Sequence, residues 1–167
     1  MRLFISINLT SEMKRILKKA QDSWRTYGVR GNYTPEENLH MTLAFIGDYP
    51  DPDHILDVME TVQAEPFYMT IDGFGNFDDL WWAGVQTSAE LNKTASGLRR
   101  ALAENQISFD RKGFTPHITL VRKTLFPNDI PPVSITPVTM KVDHISLMRS
   151  DHGKKQMIYK EIGSIEL

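Results

Sequence analysis

Asn38-Leu39-His40-Met41-Thr42-Leu43-Ala44-Phe45-Ile46-Gly47 decides how this chain is read, because it has an echo at Thr115-Pro116-His117-Ile118-Thr119-Leu120-Val121-Arg122. Both copies run His-apolar-Thr-Leu into an apolar stretch. A β-strand shows residues i and i+2 on one face. Each copy therefore sets an imidazole beside a hydroxyl. The opposite face carries Met41, Leu43 and Phe45 in the first copy, and Ile118 and Leu120 in the second. Two strands, apolar behind and bearing a His/Thr pair in front, predict a cleft between two related halves.

The flanking sequence alternates strands with helices. Leu3, Ile5, Ile7 and Leu9 alternate as a strand, and Thr10-Ser11 offers a cap for a helix with Met13, Ile16, Leu17, Ala20 and Trp24 on its buried stripe. Asp51-Pro52 opens a second helix burying Ile55, Val58, Met59 and Val62. Phe67 to Ile71 reads as a strand, Gly73-Phe74-Gly75 as a turn, and Leu80 to Val85 as a further strand after the turn Asp78-Asp79. Thr87-Ser88-Ala89-Glu90 has capping-box spacing ahead of a helix carrying Leu91, Ala95, Leu98 and Leu102. Phe126 to Pro137, with four prolines, is a loop. Val138 to Leu147 and Gln156 to Ile162 pair around the turn Asp151-His152-Gly153. Hairpin-length connections dominate, so the expected class is α+β with antiparallel pairing. No linker divides residues 1–167, so one domain is expected.

The 167 residues carry a formal net charge of −2, which gives no global attraction to a polyanion. No cysteine is present, excluding disulfides, thiolate metal sites and a cysteine nucleophile together. The N-terminal apolar run is too short for a signal peptide, and no stretch reaches membrane-spanning length. A cytoplasmic protein is expected.

Two neutral imidazoles facing each other suit proton transfer, one taking a proton from water while the other gives one to a leaving oxygen. Two threonine hydroxyls converging from opposite sides match the two non-bridging oxygens of a phosphodiester. No carboxylate cluster accompanies either pair, so neither a metal nor another cofactor is expected. A lone His-x-Thr carries almost no information; the repeated apolar spacer and leucine make chance a poor explanation. His54, His144 and His152 lack patterned neighbours and read as surface or structural.

At this point the chain resembles a known family. Glu37 to Leu43 with Phe45-Ile46-Gly47, and Phe114 to Leu120, are similar to the two motifs of the two-histidine (2H) phosphoesterases. The likeness is to the RNA 2′,3′-cyclic phosphodiesterases once described as 2′-5′ RNA ligases. Met1 to Ile7, Leu80 to Val85, and Ile145 to Ser150 with Tyr159 resemble further strands of that family, so the likeness covers nearly the whole chain. It implies a bilobal α+β fold with two pseudo-symmetric antiparallel sheets, helices outside and the phosphate in a central cleft. It implies metal-independent hydrolysis of an RNA 2′,3′-cyclic phosphate end to a 2′-phosphate, with 2′-5′ ligation as the reverse reaction. By motif position His40 is the proton donor, His117 the proton acceptor, and Thr42 and Thr119 hold the phosphate. Arg122 is a phosphate-binding candidate, although strict alternation turns it away unless a bulge intervenes. Phe4, Tyr33 and Trp81 are candidates for base stacking. Family members often carry arginine where this chain has Asp79, which removes one cationic contact. The implied partner is RNA with a cyclic phosphate terminus, and the protein is expected to act as a monomer. Alternatives are a phosphodiesterase for a small cyclic nucleotide of the ADP-ribose cyclic phosphate type, or a nucleotide- or RNA-binding module without turnover.

Overall fold

The computed structural model describes all 167 residues. Strand β1 (Arg2–Asn8) leads into α1 (Ser11–Thr26), where Thr10 accepts a hydrogen bond from the Met13 amide at 3.3 Å and caps the helix. The short β2 (Asn32–Tyr33) and a 3₁₀ turn precede the first His strand, β3 (His40–Asp48). Helix α2 (Pro52–Glu60) is capped by Asp51, then β4 (Phe67–Phe77) and β5 (Leu80–Val85) form a hairpin. Helix α3 (Ala89–Glu104) leads to the second His strand, β6 (His117–Arg122). Strands β7 (Val138–Val142), β8 (His144–His152) and β9 (Met157–Glu166) complete the chain.

The strands form two sheets, ordered β3-β1-β8-β9 and β2-β6-β5-β4-β7, and every pairing is antiparallel. One His strand belongs to each sheet. A core of 33 buried residues runs through both sheets and the inner faces of the helices. Helix α1, which follows a strand of the first sheet, packs on β6 and β7 of the second; α3, which follows a strand of the second, packs on β3 of the first. The two halves are thus interleaved, and each helix can reach the other half's His strand.

Several local expectations need correcting. Asp151 and His152 are not in a turn but end β8, paired with Ile158 and Met157, and Val62 lies past the end of α2, only partly buried. Gly73-Phe74-Gly75 is not a turn but a bulged continuation of β4, with the register shifting between Ile71 and Phe74. Gly75 is required there because any Cβ would collide with the Trp82 ring lying across it. The segment Val138–Leu147 is not one strand: it breaks at Asp143, β7 pairing with β4 in one sheet and β8 with β1 and β9 in the other. The cap of α3 is Ser88 rather than Thr87, its hydroxyl accepting from the Leu91 amide at 3.1 Å.

Candidate active site

The alternation that puts His40 beside Thr42, and His117 beside Thr119, stops one residue later in both strands. Opposite β1, Ile5 pairs with Ala44 and Ser6 with Thr42, leaving Leu43 as an extra residue. Opposite β5, Trp81 pairs with Val121 and Trp82 with Thr119, leaving Leu120 extra. These are β-bulges at equivalent positions, and a bulge reverses the face on which later residues appear. Leu43 and Ala44 are consequently both buried, as are Leu120 and Val121. The next residue in each strand, Phe45 or Arg122, turns into the cleft. Phe45 was expected on the apolar back face; the bulge puts it at the cleft wall instead.

Both bulges are held by a side chain from the helix of the other half. Gln21 of α1 donates to the carbonyls of Leu120 and Thr34, each at 2.9 Å, and is itself 2% exposed. Arg99 of α3 donates through Nε to the carbonyl of Leu43 at 3.2 Å and through its guanidinium to that of Lys112 at 2.8 Å.

The imidazoles are also held alike. Nδ1 of His40 lies 2.7 Å from the carbonyl of Asn38, and Nδ1 of His117 lies 2.6 Å from that of Thr115. A carbonyl only accepts, so Nδ1 carries the proton in each ring and Nε2 is left for chemistry. Asn38 is buried and fixed in turn by donating to the Met157 carbonyl at 2.8 Å. In His40 the free Nε2 accepts a hydrogen bond from the Thr42 hydroxyl at 2.9 Å. Burial, first of all, pushes the His40 pKa below the ordinary 6.5; the nearby Arg122, His117 and Lys14 act in the same direction, and the Asn38 carbonyl opposes them.

A hollow of about 110 Å³ joins the two motifs, lined by His40, Thr42, His117, Thr119 and Arg122, with Thr34 and Tyr159 at its edge. It opens on the His40 side into a space of about 300 Å³ carrying Arg2, Phe4, Ser150 and His152, and on the His117 side into one of about 530 Å³. Phe4 and Tyr159 stand against His40 with ring centroids at 4.9 and 5.3 Å. Phe77 and Trp82 stand against His117 at 5.2 and 6.0 Å.

Of the residues expected from sequence, His40, Thr42, His117, Thr119, Arg122 and Phe4 meet at the cleft. Tyr33 and Trp81 do not. Tyr33 donates its hydroxyl to the Val29 carbonyl and lies under Arg25, while Trp81 packs on the core Trp24. Sequence reasoning missed Phe45, Phe77, Trp82 and Tyr159; His152, read as surface or structural, is exposed and also lines the hollow on the His40 side. The shared offset of Phe45 and Arg122, five residues past each histidine, was a usable signal. The others come from distant strands with no local mark.

With this geometry in hand, the comparisons are specific. The model of the 2′-5′ RNA ligase superfamily matches residues 15–154. The chain belongs to that superfamily. A Thermotoga maritima protein named RNA 2′,3′-cyclic phosphodiesterase is 30% identical, over 96% of this chain and 92% of its own. A Thermus thermophilus relative of the same name is also 30% identical, over 100% and 90%. Among solved structures, Escherichia coli LigT complexed with 3′-AMP superposes with a TM-score of 0.85 over 99% of this chain and 96% of that one, at 24% identity. The family's α+β fold of two antiparallel sheets is therefore the fold of this chain. No helix is long and apolar enough to cross a membrane.

Proposed function

We propose that the protein hydrolyses the 2′,3′-cyclic phosphate end of RNA to a 2′-phosphate, residues 1–167 acting as one 2H phosphoesterase domain in the cytoplasm and as a monomer. One observation carries this reading: two imidazoles, each locked with Nδ1 protonated, converge with two threonine hydroxyls and Arg122 on a single hollow of about 110 Å³. That volume admits a tetrahedral anion and the water attacking it, a water taking roughly 30 Å³. The names of the relatives support the substrate class. His117 takes the proton of the attacking water through Nε2; His40 gives a proton to the departing 3′-oxygen. Thr42, Thr119 and Arg122 bind the phosphate oxygens as charge builds there, and Tyr159, backed by the buried Phe4, offers an aromatic face to the terminal base. With a 5′-hydroxyl in place of water as the attacking group, the same steps form a 2′-5′ linkage. The test is incubation of the purified chain with an oligonucleotide ending in 2′,3′-cyclic phosphate, EDTA present. A 2′-phosphate end is expected; no conversion overturns the reading.

A second reading exchanges the two proton roles. It is favoured by His40 itself, which is neutral in the free protein and accepts from Thr42 at Nε2, the resting state of a base. For His40 to act as donor, the bound phosphate anion must raise its pKa and draw the Thr42 hydroxyl away.

A further inference from the structure

Hydrolysis asks only for a water beside His117, roughly 30 Å³ of space. The hollow there is about 530 Å³, larger than the one on the His40 side and within the range of about 300–1,000 Å³ typical of small-molecule sites. Its wall is mixed. Phe45, Phe77 and Phe114 line it with Lys112, Arg99 and Arg122, against the single carboxylate of Asp110. Arg99 is already committed to two carbonyls, but the Lys112 ammonium belongs to none of the ion pairs of the molecule. Phe77 is 44% exposed at the mouth, although it sits edge-on to His117. An open aromatic ring and an unpaired cation lining one hollow are the two groups that receive a base and the phosphate attached to its sugar.

We infer that this hollow is an acceptor subsite, holding a nucleoside 3′-phosphate whose 5′-hydroxyl faces His117, its base on Phe77 and its phosphate on Lys112. The inference rests on the phosphodiesterase reading above, with His117 on the side of the attacking oxygen. In the step it serves, the 5′-oxygen bonds to phosphorus as the bond from phosphorus to the 3′-oxygen breaks. The hydroxyl proton goes to His117, and the proton of His40 goes to the 3′-oxygen. No other reactant is consumed, and a 2′-5′ phosphodiester results.

The test is a competition between water and alcohol for one cyclic-phosphate oligonucleotide, with a nucleoside 3′-phosphate bearing a free 5′-hydroxyl added in increasing amounts. The ratio of ligated to hydrolysed product is read, so any damage to His117 that slows both routes cancels. In the wild-type protein the ratio should rise and saturate with acceptor. In Phe77→Ala and in Lys112→Glu it should fall about tenfold, as loss of a stacking or phosphate contact predicts. Lys112→Glu should also abolish the preference for the nucleoside 3′-phosphate over the plain nucleoside. An unchanged ratio in both variants overturns the inference. So does hydrolysis with no ligated product at any acceptor concentration, which leaves the phosphodiesterase reading standing. Absence of hydrolysis overturns that reading, and the acceptor subsite with it.

Discussion

The side-chain amide of Gln21 donates to the carbonyl of Leu120 at 2.9 Å, joining α1 to the residue at which the second His strand breaks its alternation. The Leu120 carbonyl also accepts from the Thr34 amide at 2.9 Å, and the second proton of Gln21 goes to the Thr34 carbonyl. Gln21 therefore fixes the bulge that aims Arg122 and, with it, the Thr34 edge of the phosphate hollow. In the proposed mechanism it is a positioning residue that does not touch the substrate.

Gln21→Met keeps the volume and removes the amide. Leaving buried carbonyl capacity unmet costs about 1–3 kcal/mol, so thermal stability should fall. The functional mark is a split: KM for the cyclic phosphate should rise about tenfold, with a smaller change in kcat, because the role proposed for Arg122 is to bind the anion and not to transfer a proton. A lowered melting temperature with unchanged KM would reduce Gln21 to a purely structural role.

Thr42→Val and Thr119→Val each remove a hydroxyl at nearly constant shape. A hydrogen bond to a charged group is worth about 1.5–3 kcal/mol, so steady-state kinetics should show kcat/KM lower by about tenfold to a hundredfold in each. The two variants should differ in pH dependence. Of the two threonines only Thr42 donates to its imidazole in the free protein, so only Thr42→Val should move the His40 titration.

That titration is directly measurable by NMR of the imidazole protons. In the free protein His40 should titrate below the ordinary 6.5, because burial above all, with the Arg122 and Lys14 charges nearby, disfavours its charged form. Saturation with a nucleoside 2′-phosphate should raise it, an anion beside the ring favouring the cation. No rise on binding would count against His40 as donor. The sign for stability follows. Just below 6.5 the unfolded chain holds a proton on His40 that the folded chain does not, so stability falls as the pH falls through that region. His40→Asn should flatten this part of the melting-temperature profile.

Strand parity made the pairing of His40 with Thr42, and of His117 with Thr119, legible from sequence, because alternation holds over those three residues. It misplaced Phe45 and left Arg122 undecided, because a β-bulge one residue later changes faces without changing composition: Leu43-Ala44 and Leu120-Val121 are ordinary apolar pairs. The sheet switch at Asp143 did leave a mark, the apolar parity changing from Val138, Met140 and Val142 to Ile145 and Leu147 across Asp143-His144, but a single strand read through it missed the change. Trp81 and Trp82 could not be told apart by type; register decided that Trp82 neighbours His117 and Trp81 the core. Phe77 and Tyr159 arrive from β4 and β9, and only tertiary pairing brings them to the imidazoles.

The central claim is that His40 and His117 do complementary proton work on one phosphate. A 3′-deoxynucleoside 2′-(4-nitrophenyl phosphate) separates the roles, because nitrophenolate leaves without needing a proton. General acid catalysis contributes about 10²–10⁴-fold where the leaving oxygen needs it. His40→Ala should therefore lose about that factor on the cyclic phosphate yet retain most of its rate on the aryl ester, whereas His117→Ala should lose both activities. The reverse pattern, with His117→Ala sparing the aryl ester and His40→Ala losing it, would contradict the assignment, and full cyclic-phosphate turnover in either variant would contradict the mechanism.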